Sequence, residues 1–71
     1  MVRIVLNGTF LVVDYDELTY EQLIAFAGFI GSPSVTYAKG VPEKPCGILT
    51  PHNTISIVNN MVFNVASTNA A

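Results

Sequence analysis

Few side chains in this 71-residue sequence can do chemistry, and their spacing decides which chemistry is open to them. The one histidine, His52, stands between Pro51 and Asn53 with no second histidine and no carboxylate near it in sequence, so neither a metal-ligand set nor an acid–base pair forms around it. Cys46 is the one cysteine, lies between Pro45 and Gly47, and has only Lys44 close by as a cation, which makes it a plain thiol that no internal disulfide can use. Glu17 and Glu21 lie four apart around a helix start, where carboxylates favour the positive end of the helix dipole, so they read as structural. Lys39 and Lys44 are solvated loop amines, open to modification but in need of no function. The remaining reactive group is the terminal carboxylate. It follows Ala66-Ser67-Thr68-Asn69-Ala70-Ala71, small or polar residues without periodicity, which are expected to form a free tail. Five or six extended residues reach about 20 Å, enough to carry a carboxylate into an enclosed site of another protein while a folded body stays outside.

Composition limits what can hold these groups. The chain is 51% hydrophobic and 11% charged, with three basic and five acidic residues and a net charge of −2. One small domain is expected over residues 1–66, with residues 67–71 as its tail. A chain of this size holds a modest core and no deep, walled cavity, so a self-contained enzyme is disfavoured. Arg3, Lys39 and Lys44 are far apart, which removes the basic footprint of a nucleic-acid binder. No apolar run reaches the roughly 18 residues of a membrane span, and no basic leader or cleavage site accompanies the apolar start. Cytoplasmic residence is expected, and a lone thiol suits a reducing compartment.

The elements that position the tail begin with two β-rich runs, Val2 to Leu6 and Thr9 to Val13, joined by Asn7-Gly8, a pair suited to a type I′ turn. A two-residue loop sets Leu6 opposite Thr9, Val5 opposite Phe10, Ile4 opposite Leu11, Arg3 opposite Val12 and Val2 opposite Val13. One face then carries Val2, Ile4, Leu6, Leu11 and Val13, and the other carries Arg3, Val5, Phe10 and Val12. After an acidic link from Asp14 to Glu17, Thr19 and Gln22 make a capping box and Leu18 can staple to Leu23, predicting a helix from Thr19 to Ala27 that ends at Gly28. Its apolar stripe is Leu23, Ala27 and either Ile24 or Phe26. Ser34 to Ala38 reads as a strand, Lys39 to Gly47 as a mobile loop, Ile48-Leu49 as a very short strand, Thr54 to Val58 as a strand, Asn59-Asn60 as a tight turn and Met61 to Val65 as the last strand. The order is ββαβββ with the penultimate pieces short, an α+β arrangement with one helix on a mixed sheet. The helix is expected to cross the face made by Val2, Ile4, Leu11, Val13, Phe63 and Val65.

With LTYEQLIAFAG at Leu18 to Gly28, SVTYAKG at Ser34 to Gly40, GILTP at Gly47 to Pro51 and NMVFNVASTN at Asn60 to Asn69, the chain resembles the ubiquitin-like β-grasp fold, and within it the bacterial multiubiquitin-type domains. The resemblance implies a protein modifier. An activating enzyme would adenylate its terminal carboxylate and an acyl transfer would attach it to a target, in a bacterial conjugation operon of the antiphage type. Activating and conjugating enzymes and a deconjugating peptidase are the implied partners; ATP would be used by the activating enzyme, and this chain would hold no cofactor of its own. The chain departs from the family in holding one unit rather than a tandem array, and it lacks the terminal Gly-Gly of eukaryotic modifiers. The reactive end is then Asn69 after removal of Ala70-Ala71, or Ala71 uncut, with Ser67 and Thr68 as the tail before it.

Two readings from other classes stand beside it. A sulfur carrier would convert the same carboxylate to a thiocarboxylate, although such carriers end in Gly-Gly. A structural module would assemble through an apolar sheet face and open edge strands. In every reading, Val5, Phe10 and Val12 form the candidate partner surface, because one helix covers one face of a sheet and leaves the other in water unless a second copy or the Lys39 to Gly47 loop covers it.

Overall fold

In the computed structural model of the chain, which describes residues 1–67, Asn7 and Gly8 have φ of 50° and 82°, the left-handed pair that a type I′ turn requires. They join strand β1 (Val2–Leu6) to β2 (Thr9–Val13) in the register read from sequence, Val2 opposite Val13 through Leu6 opposite Thr9. A short strand β3 (Glu17–Thr19) leads into helix α1 (Tyr20–Ala27), followed by β4 (Ser34–Ala38), β5 (Gly47–Leu49), β6 (Thr54–Ser56) and β7 (Met61–Ala66). Five strands form one mixed sheet in the order β2-β1-β7-β4-β5, while β3 and β6 form a separate two-stranded ribbon. Only the central β1–β7 pair is parallel. The architecture is a small α+β domain with one helix on a mixed sheet.

The helix starts one residue later than the sequence suggests because Thr19 is its cap: the Gln22 N–H donates to Thr19 Oγ1 at 3.0 Å and the Thr19 N–H donates to Gln22 Oε1 at 2.9 Å. Leu18 and Leu23, on either side of that box, are both fully buried. Gly28, at φ 77°, ends the helix with two bonds, its own N–H to the Ala25 carbonyl and the Phe29 N–H to the Ile24 carbonyl, the paired closure of a Schellman motif. Of the two candidates for its apolar stripe, Ile24 packs against the core, while Phe26 stays 45% exposed.

The core lies between α1 and the sheet. Ile4, Met61, Phe63 and Val35 from β1, β7 and β4 are fully buried beneath Leu18 and Leu23. Of the face expected to receive the helix, Ile4, Val13, Phe63 and Val65 are buried, whereas Val2 and Leu11 are half-buried. Apart from the cap, two expectations need correction. Glu17 opens β3 instead of closing a link. The run from Thr54 stops at Ser56 and pairs with β3, not with the main sheet, setting Glu17, Leu18 and Thr19 opposite Ser56, Ile55 and Thr54. The physical reason is that Thr54 and Ser56 are polar on both sides of Ile55, so the segment has one apolar residue to offer; Ile57, 6% exposed, then turns into the core while its N–H bonds the Asp16 carbonyl at 3.0 Å. The loop that follows β4 carries two internal bonds, the Gly40 N–H on the Pro45 carbonyl at 2.9 Å and the Lys44 N–H on the Val41 carbonyl at 3.0 Å. Gly40 is needed there because a Cβ would come within 2.7 Å of the Lys44 carbonyl oxygen.

Candidate interaction surface and carboxyl-terminal anchor

Side chains alternate across a strand, so the registers fix which residues share the face turned away from α1. Phe10 lies opposite Val5, Val5 opposite Val62, and Val62 opposite Ala38, a continuous apolar rank across four strands. Val12 extends it along β2. Phe10 and Val12 are 63% and 61% exposed, and Val5, Val62 and Ala38 are half-buried. The sequence identified Val5, Phe10 and Val12 but not Val62 or Ala38, because their membership depends on pairing between strands more than 20 residues apart. The loop from Lys39 to Gly47 connects β4 to β5, at the opposite end of the strand order from β2, and so does not cover Phe10 or Val12.

Arg3 ends this surface. Its guanidinium carbon sits 5.1 Å from the Phe10 ring centroid, within cation–π range. One guanidinium nitrogen donates to Asn60 Oδ1 at 2.8 Å, the Arg3 N–H donates to Asn59 Oδ1 at 3.0 Å, and the Asn60 N–H returns to the Arg3 carbonyl at 2.7 Å. The cation is thereby fixed over the ring while it secures the entry to β7.

The exit from β7 is secured by Asn7. Its Nδ2 donates to the Val65 carbonyl at 3.1 Å and its Oδ1 accepts from the Val65 N–H at 2.8 Å, while the Asn7 N–H bonds the Phe63 carbonyl at 3.0 Å. The side-chain amide reproduces a peptide group and prolongs the β1–β7 ladder past the end of β1. Sequence reading assigned Asn7 only to the turn, yet asparagine suits both tasks: it tolerates positive φ and carries a donor and an acceptor. Asn7→Asp keeps the acceptor and the turn geometry but sets a carboxylate oxygen against the Val65 carbonyl. It is expected to cost about 1 kcal/mol in denaturant unfolding and to speed exchange of the Val65 amide more than that of Val35.

The other chemistry-bearing residues are dispersed. His52, at φ 67°, is brought beside Glu21, its Nδ1 3.4 Å and its N–H 3.1 Å from Oε2, so the carboxylate absent from its sequence neighbourhood is supplied by the helix start. With the Tyr20 N–H on the Asn53 carbonyl at 3.0 Å, the contact tethers the β5–β6 turn to α1; an exposed pair of this kind adds little stability. Cys46, Lys39 and Lys44 are exposed, and Glu17 and Glu21 serve β3 and the helix start. Among the described residues, no three His, Cys, Asp or Glu side chains group so as to hold a metal ion, and no helix is long and apolar enough to cross a membrane. Ser67 follows β7 directly; Thr68, Asn69 and Ala71 lie outside the described residues. No family model, curated protein or solved structure matches the chain.

Proposed function

We propose that this chain is a ubiquitin-like modifier of β-grasp fold, a substrate of conjugating machinery rather than an enzyme. Its terminal carboxylate attacks the α-phosphorus of ATP in the activating enzyme, pyrophosphate leaves, and the acyl adenylate is then passed to a nucleophile of the target with loss of AMP. The observation that carries the reading is the position of β7. The last described strand runs parallel to the first at the centre of the sheet, and Asn7 pins its end, so Ser67 follows β7 next to the β1–β2 hairpin turn. A carboxylate delivered from a fixed root searches a small volume, which favours productive placement in an enclosed site. The one-helix α+β architecture, with its mixed sheet, is compatible with the same reading.

Intact mass after incubation with ATP and the cognate activating enzyme tests it. A covalent adduct with a target supports the modifier; a gain of one sulfur in place of oxygen assigns the chain to the sulfur carriers; an unchanged mass with large assemblies assigns it to a structural module. The apolar rank is the surface proposed to meet the activating enzyme. Phe10→Asp removes the exposed ring and sets a carboxylate beside Arg3, so the fold is retained while affinity for that enzyme drops at least about tenfold in a titration. Unchanged affinity would remove Phe10 from the interface.

A further inference from the structure

The outer edge of β2 has a pairing capacity that nothing in the described residues uses. The Arg3 carbonyl accepts from Asn60, just before β7, and the Asn7 N–H, just after β1, bonds Phe63 in β7, so the odd-numbered residues of β1 turn their backbone groups toward β7 and the even-numbered ones toward β2. Thr9, Leu11 and Val13 answer the even residues. Phe10 and Val12 therefore point their N–H and C=O groups away from β1, into solvent, and β2 is the terminal strand of the sheet. The opposite edge is different: β5 has three residues and follows Pro45. β2 has five residues, TFLVV, with no charge, no proline and no bulge, and so lacks the usual devices that prevent an edge from pairing.

We infer that two copies of this chain pair through β2, antiparallel about a two-fold axis at Leu11, joining two five-stranded sheets into one of ten. The sequence is self-complementary in that register. Phe10 of each copy faces Val12 of the other, so the four outward N–H and C=O groups of one strand meet those of its mate in two hydrogen-bonded pairs, and the aromatic side chain stands against a β-branched one. Asp14 falls opposite Gly8 of the second copy, so no like charges meet, and a one-residue shift would lose the match of donors to acceptors. On the helix side, Leu11, Tyr15 and Phe26 line a groove of about 390 Å³ beside the edge, and both aromatics are about half exposed, ready to be covered by the second copy. The interface is small, so the dimer is weak and concentration-dependent. It holds whether or not the chain is a modifier, and it leaves the outer apolar face open.

Sedimentation and amide hydrogen exchange across a concentration series up to millimolar test the inference. The expected result is a monomer–dimer equilibrium in which the Phe10 and Val12 amides slow at least about tenfold as dimer forms, while the exchange of exposed loop amides is unchanged. Val12→Pro removes an N–H that makes no bond to β1, so the fold stays and the dimer dissociation constant rises at least about tenfold. Val62→Asp lies on the outer face two strands in from this edge and leaves the dimer intact. A chain that is monomeric throughout, a dimer whose Phe10 and Val12 amides stay unprotected, one that survives Val12→Pro, or one abolished by Val62→Asp would each overturn the inference. So would protection of these two amides only on addition of a foreign extended peptide.

Discussion

Phe63→Ala is expected to leave the chain unfolded or to lower its Tm by at least about 12 °C. Phe63 is fully buried at the centre of the middle strand and forms a tilted pair with Tyr37, ring centroids 6.4 Å apart. Truncating such a side chain loses its transfer free energy and leaves a cavity, about 3–5 kcal/mol together, and each kcal/mol shifts Tm by roughly 4–8 °C in a domain this small. The total stability available to 71 residues lies near the lower end of the roughly 5–15 kcal/mol of folded proteins. Without a disulfide, the loss has little to offset it. Calorimetry or a circular dichroism melt reads the effect, with Val62→Ala, one residue earlier and half-buried on the other face, as the control that should cost much less. A Phe63→Ala melt within a few degrees of the parent would place the residue outside the core.

The second large effect concerns the length of the chain after Ser67. Under the modifier proposal, adenylation requires the carboxylate at one depth in the activating enzyme, and two extended residues displace it by about 7 Å. A mismatch of that size removes in-line attack on the nucleotide phosphorus, where even about 1 Å costs on the order of a hundredfold. Chains ending at Asn69 and at Ala71 should therefore differ by at least about a hundredfold in ATP–pyrophosphate exchange, with Asn69 the active end. Activity of the Ala71 form alone would reverse the assignment and make the uncut end reactive; equal activity would show that the enzyme does not read tail length.

The parts of this fold legible in the sequence are those decided locally. Asn7-Gly8 admits one tight turn, and that turn fixes every pair from Leu6–Thr9 to Val2–Val13. Thr19, Gln22 and Gly28 likewise bracket α1 because their side chain or φ acts within a few residues. What escaped was decided at a distance. Residues 54–56 look like any short strand, and only a partner some 37 positions earlier removes them from the main sheet. The same holds for the surface: the pattern within β1 and β2 exposes Phe10 and Val12, but Val62 and Ala38 join them through pairings no local window contains. The clamp by Asn7 was hidden by its more obvious role, since a residue that satisfies a turn raises no question about its side chain.

The central parallel pair also governs when the chain can fold. Ile4, Val5 and Leu6 meet Met61, Val62 and Phe63, so the middle of the sheet is closed only by joining positions 57 residues apart. Closing so long a loop costs entropy before any contact between these strands offsets it, and topologies dominated by distant pairings fold slowly. During synthesis, β1 and β2 can form their hairpin early, yet one side of β1 must wait for β7, the last of the described strands to leave the ribosome. A chain that has emerged only as far as Asn60 has at most two-stranded pairings and a short helix, each marginal alone, so the folded state waits for β7.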